Sequence, residues 1–490
     1  VANNTAKKNL KVLFVATEVR PFSKSGGLGD VAGSLPKALK AQGVDVRVVF
    51  PKYGNIPEKH LHGTKYVAPL TTHLSWREQG ASIYTIVPDD PTDVQVYMVE
   101  NDYYFGRDGY YGYGDDFERF AFFSKVAIEF LTLVDFKPDI IHFNDWQTGL
   151  GCTYLKDVYR SFSYFKDVKS LFTIHNLRYQ GSFGREVLWS VGLNDGYYTN
   201  GELEFYGNVS LLKAGVLHAD AVSTVSETYA QEIQTTSYGY GMDGLLRMRG
   251  HEGRLFGILN GIDVEKHNPA TDPRIFHNYN IDNVMEIKPQ NKRELQKMVG
   301  LPEWDIPLIG IVSRLASPKG FDIISLALEE ILSKDIQFVV LGTGEGRYEE
   351  LFKNYAWRYP ERLSAQITFN DELAQRIYAG SDILLMPSVY EPCGLCQMFA
   401  MRYGTIPVVR KTGGLADTVR HFGPDVPDGN GFLFEDFVAS GLMWALNQAL
   451  GYYNTPHWSM IVKNAMSGDF SWDKSAQAYV DLYEKIKFTY

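Results

Sequence analysis

Five short stretches of this chain carry residues suited to holding phosphate and sugar. Lys24-Ser25-Gly26-Gly27-Leu28-Gly29-Asp30-Val31, near the front, is nearly repeated far downstream as Lys411-Thr412-Gly413-Gly414-Leu415-Ala416-Asp417. Between them stand SRLASPKG, with Arg314 and Lys319, and HNL, with His175 and Asn176. YEPCGL carries Glu391 and Cys393. In the first phrase, Gly26 and Gly27 permit close backbone approach and positive φ, and Lys24 supplies a cation to a phosphate. Asp30 is placed to cap the following helix or to contact a ligand hydroxyl. The same residues also suit a tight turn with a solvated lysine.

Arg314 offers a rigid guanidinium fork and Lys319 a point charge, a pair suited to a diphosphate. Two surface cations on a loop is the plainer alternative. His175 and Asn176 directly follow the apolar run KSLFTI, where uncharged polar groups suit sugar hydroxyls; a satisfied structural histidine is equally open. His142 lies in IIHFND beside Asp145 and Trp146, in a comparable place. Glu391 is held on a turn by Pro392, either as a ligand carboxylate or as the cap of the next helix. No second acid is paired with it by local spacing, as a hydrolase with acid and nucleophile would show. No HExxH, Walker lysine motif or His/Cys cluster points to a metal. Cys393-Gly-Leu-Cys396 is formally CxxC, without the setting of a redox motif or a second CxxC for zinc.

These groups need a scaffold. Nearly continuous apolar runs at 11–18, 44–50, 138–143, 169–174 and 221–225 suit strands buried on both faces. The second half repeats the grammar at 307–313, 336–342, 364–369, 382–387 and 405–409. Amphipathic stretches such as Val31–Ala41 and Phe117–Leu133 separate the runs, which predicts parallel sheets with helices on both faces. Two Rossmann-like doubly wound α/β domains follow, residues 10–264 and residues 265–470, and a final amphipathic stretch, Trp472–Ile486 within 471–490, is long enough for a helix that packs across both. Each candidate stretch falls at a strand's carboxyl end, where ligands of open α/β sheets bind. If the two edges face each other, both glycine phrases line one interdomain cleft.

Composition narrows the function classes. With 45% apolar and 22% charged residues, 490 residues are enough for two or three cored domains. A net charge of −10 without a long Lys/Arg run argues against nucleic acid or an anionic membrane as main partner. Three cysteines make no disulfide framework and fit a reducing compartment. No uninterrupted apolar stretch reaches membrane-span length, and the opening VANNTAKKN reads as a polar tail or the scar of a removed targeting segment.

Taken in order, KSGGLGDV, HNL, NGID, SRLASPKG, EPCGL and KTGGLADTV make the chain resemble the bacterial and plastid glycogen/starch synthases, from about Lys11 to Tyr483. The resemblance implies the GT-B architecture, with the helix in 471–490 crossing back to the first domain, and retaining transfer of glucose from ADP-glucose to the non-reducing end of an α-1,4-glucan, with no metal or other cofactor. It implies that Arg314 and Lys319 bind the diphosphate, joined by Lys24, Gly26 and Gly27. Phe369 would lie against adenine, and His175, Asn260 and Glu391 would hold the donor glucose. The loop Thr412, Gly413, Gly414, Leu415 would approach phosphate and sugar, and Tyr104, Asp145 and Trp146 the acceptor. Cys396 stands where the family commonly has Thr or another polar residue. Phe399 stands where some related transferases carry a second Glu. The expected location is cytoplasmic for a bacterial source, and plastid stroma or starch granule for a photosynthetic eukaryote. A transferase using another nucleotide sugar and a weakly active glucan-binding or initiation paralogue are the nearest alternatives. A dinucleotide oxidoreductase is disfavoured, because LGTGEGRY has the wrong glycine spacing for its fingerprint.

Overall fold

The structure is a computed structural model that describes residues 10–489, so the polar opening segment lies outside the described residues. The chain divides into two compact units. Unit 1 comprises the chain up to Val225, Ala230–Gly261 and the segment from Trp472 onward; unit 2 comprises Ser226–Tyr229 and Ile262–Ser471.

Among the described residues, unit 1 holds twelve strands: β1 (Lys11–Val15), β2 (Asp45–Pro51), β3 (Lys65–Leu74), β4 (Arg77–Ile86), β5 (Val96–Glu100), β6 (Ile140–Asn144), β7 (Lys169–Ile174), β8 (Ser182–Phe183), β9 (Glu204–Phe205), β10 (Asn208–Ser210), β11 (Ala221–Thr224) and β12 (Leu255–Gly257). Nine of them form one sheet in the order β12-β11-β7-β6-β1-β2-β5-β4-β3, and β8, β10 and β9 form a small separate one. Val12, Leu13, Phe14 and Val15 are all fully buried, as expected of a central strand covered on both faces. The chain leaves β1 toward β2 on one side and later returns as β6 on the other. That reversal opens a crevice at the carboxyl ends of β1 and β6, with β7 next in line.

One part of this sheet departs from the parallel expectation. β4 runs antiparallel to both β3 and β5, adding a hairpin to the sheet's edge. Its residues alternate between buried and more exposed positions, so no continuous apolar run announces them. The helix Trp472–Thr489 belongs to unit 1 and packs on the helix Gly27–Ala41. His142 anchors it from the sheet: Nδ1 is 2.7 Å from Tyr483 Oη and Nε2 2.6 Å from Thr173 Oγ1. His142 is therefore an interior tie and not a strand-end ligand, and burial pushes its pKa well below the ordinary range.

Unit 2 contains β13 (Leu308–Val312), β14 (Gln337–Leu341), β15 (Leu363–Gln366), β16 (Ile383–Met386), β17 (Ile406–Arg410) and β18 (Phe432–Phe434), in the order β15-β14-β13-β16-β17-β18. All pairs are parallel. Here the reversal lies between β13 and β16, so the loops after these two strands are neighbours. The helix Phe321–Leu332 buries Phe321, Ile324, Leu328 and Ile331 at one-face spacing and packs on the helix Ala439–Tyr452.

Candidate functional site

In unit 2 the loop after β13 and the loop after β16 are zipped together. Val389 N–H donates to Pro318 O at 2.9 Å. Gly320, at φ 79°, sits so close to the neighbouring backbone that a Cβ there would lie 1.8 Å from Pro387 O. This docking sets Lys319 Nζ 2.6 Å from Glu391 Oε2, which also accepts from Ser388 Oγ at 3.0 Å. Burial pulls the Lys319 ammonium down, but the Glu391 carboxylate outweighs it and leaves the pKa above the ordinary lysine value. Arg314 stands exposed at the end of β13. Phe369 follows β15 and is 83% exposed, so its ring is open for a flat ring to stack on.

The second glycine phrase is built onto this turn. A Cβ at Gly413, whose φ is +43°, would lie 2.1 Å from Glu391 O, and one at Gly414 would lie 2.0 Å from Cys393 O. Gly414 N–H donates to Glu391 O at 3.1 Å, so it is not a bare donor. Thr412 and Leu415 are fully buried, and Leu415 N–H bonds back to Thr412 O. Leu415 thus serves the core, and its side chain offers nothing to a ligand. Ser226, which sequence reasoning passed over, supports the same turn by donating to Pro392 O at 2.6 Å.

The first phrase, in unit 1, is glycine-rich for another reason. Neither Gly26 nor Gly27 has positive φ, and a Cβ at either would meet nothing within 4 Å. The expectation of a left-handed turn is corrected; what the glycines keep is open space. Their setting is held by Glu18, a buried carboxylate at the end of β1. It accepts from Ser25 N–H, Ser25 Oγ at 2.7 Å, Gly26 N–H at 3.1 Å and Tyr111 Oη at 2.6 Å. The Gly26 N–H expected to face a phosphate is therefore already taken by an internal anion. Lys24 Nζ pairs with Asp30 at 2.7 Å, and Arg20 joins the same carboxylate at 3.1 Å. Asp30 pairs with cations here, and the helix Gly27–Ala41 has no side-chain cap.

At the ends of β6 and β7, Asn144 and Asp145 hold His175 from two sides. Asn144 Oδ1 lies 2.9 Å from His175 Nε2, and Asp145 Oδ1 accepts the His175 N–H at 2.7 Å. Asp145 also accepts from the Asn176 backbone. It does so from φ 57°, ψ 176°, a region that costs a non-glycine residue strain of about 1–3 kcal/mol and is found at over-determined sites. Burial pushes its carboxyl pKa up to about 7, against these hydrogen bonds, while burial takes His175 down to about 3. Asn176 Oδ1 accepts from Arg178 N–H. Asn260 is buried in unit 1 with Oδ1 unpartnered among the described residues, an acceptor suited to a hydroxyl.

The acceptor-side assignments fare unevenly. Trp146 is half-buried, edge-on to Phe120 at 5.3 Å. Tyr104 is fully buried, with its hydroxyl bonded to Glu118 and Arg77, and presents no surface to a glucan. Cys396 opens the helix Cys396–Arg402, yet burial pushes its thiol up despite nearby Tyr378 and Lys319. That desolvation outweighs whatever the helix start would do for a thiolate. Neither Cys393 nor Cys396 is in a disulfide among the described residues. Among the described residues one group has metal-ligand geometry, Asp157, Glu202 and His218, outside the set picked from the sequence. Its members are paired internally: His218 with Thr153 and Glu202, and Asp157 with Tyr197. Glu18, Asn144 and Ser388 were missed, although each is a polar residue at or just past a buried strand's end.

Residues 11–248 match the family described as "Starch synthase catalytic domain", and residues 292–464 match "Glycosyl transferases group 1". A glycogen synthase from Desulforamulus reducens is 49% identical over 487 residues, covering 98% of this chain and 99% of that protein. The glycogen synthase of Thermotoga maritima is 49% identical over 484 residues, covering 97% and 99%. Among solved structures, the catalytic domain of starch synthase IV from Arabidopsis thaliana, bound to ADP and acarbose, superposes with TM-score 0.89 at 33% identity, over 98% of this chain and all of that one. Sucrose-phosphate synthase from Thermosynechococcus elongatus, at 18% identity and TM-score 0.59 over 98% and 99%, shares the fold alone.

Proposed function

The chain belongs to the bacterial glycogen synthase family of retaining GT-B glucosyltransferases, and from that premise we propose that it transfers glucose from ADP-glucose to the non-reducing end of an α-1,4-glucan. ADP is carried over from the Arabidopsis structure. The bacterial relatives favour the cytoplasm as location.

The observation that carries the reading is the Lys319–Glu391 hydrogen bond at the β13/β16 switch point. It joins a cation suited to a diphosphate to a carboxylate suited to sugar hydroxyls, at the point where a nucleotide sugar changes from one to the other. Arg314 and Lys319 take the diphosphate, Phe369 stacks on adenine, and Glu391, His175 and Asn260 take the glucose hydroxyls. As the glycosidic bond breaks, charge builds on the leaving phosphate, where the two cations stabilise it. The acceptor hydroxyl then attacks from the same face and passes its proton to that phosphate. Glu391 orients the sugar: one of its oxygens is already engaged by Lys319 and Ser388.

The test is incorporation of labelled glucose into glycogen from ADP-glucose and UDP-glucose side by side. A strong preference for ADP-glucose is expected. Preference for UDP-glucose would overturn the donor, and no incorporation from either would favour a glucan-binding role.

A further inference from the structure

The contacts of Asn144 decide where the proton sits on His175. Its side-chain amide reaches the carbonyl oxygens of Val15 at 3.0 Å and His142 at 3.2 Å, and the His175 ring at 2.9 Å. Carbonyl oxygens only accept, so the two hydrogens of Nδ2 face them. The flipped amide would set its oxygen against two others, and Asn144 is fully buried with nothing to relieve that contact. Oδ1 therefore faces the imidazole, and an amide oxygen also only accepts. Nε2 of His175 must carry a hydrogen. Burial keeps this ring neutral, with its pKa near 3. In a neutral imidazole with hydrogen on Nε2, the lone pair is on Nδ1.

We propose that Asn144 is a positioning residue that locks His175 as the Nε2–H tautomer, so that Nδ1 is presented as an acceptor to a hydroxyl of the transferred sugar. The functional half rests on the reading of His175 as a donor-sugar ligand; the tautomer does not. It adds a direction to that contact: the sugar donates and the protein accepts. Asp145 fixes the main chain of the same histidine, so ring and backbone are held by consecutive residues at one strand end. The titratable groups facing the pair are Asp145, His142 below Asn144, and Glu18 beyond Asp145. Both nitrogens of His142 are engaged by Tyr483 and Thr173, so it brings no charge toward Asn144 at neutral pH.

The test begins with the full-length parent labelled with 15N-histidine, His175 being identified by the signals lost in His175→Gln. Across the neutral range, Nε2 is expected to read as protonated and Nδ1 as unprotonated. A hydrogen on Nδ1, or an imidazolium, overturns the assignment. In Asn144→Asp a carboxylate faces Nε2 and raises the ring's pKa. The ring should then titrate nearer neutrality, and kcat should fall about tenfold on the acid side and recover as pH rises. A parental pH profile in that variant overturns the acceptor role. Should Asn144→Asp not fold, Asn144→Ser leaves Nε2 without its fixed partner, and both tautomers should appear; a single unchanged tautomer overturns the lock. His175→Ala with parental turnover would remove the sugar-ligand reading and leave the tautomer standing.

Discussion

Lys319 Nζ donates to Glu391 Oε2 at 2.6 Å across the loops that follow β13 and β16. The pair is closed in this structure, so the ammonium proposed to meet a diphosphate already neutralises a carboxylate. Losing the lysine strands a nearly buried acid and, on the function proposed above, also removes a phosphate contact.

Lys319→Ala and Arg314→Ala should each lower kcat/KM by an amount equivalent to about 2–4 kcal/mol, because charge builds on the leaving diphosphate where they act. Only Lys319→Ala should also lower Tm, since Arg314 is exposed and Lys319 holds Glu391. Steady-state kinetics and thermal melts separate the effects. Near-parental kcat/KM in both variants would remove the diphosphate assignment.

The two glycine phrases should answer differently to the same substitution. Gly413→Ala and Gly414→Ala drive a methyl into the Glu391 and Cys393 carbonyls, so each should cost stability of about 1–3 kcal/mol or more and nearly all activity. Gly26→Ala meets nothing and needs no left-handed φ, so Tm should stay within a degree or so while the KM for the donor rises. A Tm loss in Gly26→Ala equal to that in Gly414→Ala would contradict this division.

Asp145 should give activity an acid limb. Its carboxyl is pushed up to about 7 by burial, and the ionised form is the better acceptor for the His175 and Asn176 backbone. Below that value the acid protonates, the loop loosens, and kcat/KM should fall. For stability the sign is opposite. The folded pKa lies above the unfolded value near 3.9, so ionising this group costs stability as pH rises between the two. Asp145→Asn keeps an acceptor oxygen without titrating, and its pH–rate profile should lose the limb near 7. An unchanged limb would assign it to another group.

Cys396→Ser should remain active and respond to oxidant and reductant as the parent does. Burial raises this thiol, so it is a poor thiolate at neutral pH. Reversible oxidative loss of activity in the parent but not in the variant would establish a thiol switch in its place.

The strand runs and the candidate ligands at their carboxyl ends were legible because both are local. KVLFV and LIGIV read as strands buried on both faces, and a polar residue that follows such a run is at the binding edge wherever the strand lies in the sheet. The β3–β4 hairpin was not legible, since an edge strand with one wet face carries a weak apolar signal. Tyr104 has chemistry suited to a ligand, and nothing local shows that its neighbours bury it.

By itself the sequence determined the alternation of strand and helix, the residue types at each strand end, and the set of motifs that carries the family resemblance. The tertiary structure decided which of those ends are neighbours. Asn144 meets His175 because β6 and β7 pair in parallel, and Lys319 meets Glu391 because β13 and β16 do. It also decided that one glycine phrase borders open space while its near copy is pressed against a backbone carbonyl. Such contacts depend on the order of strands in a sheet, a property of the whole packed chain. The proton on His175, the closure of Lys319 on Glu391 and the strain at Asp145 follow from that order, because each requires groups that only folding brings within hydrogen-bond reach.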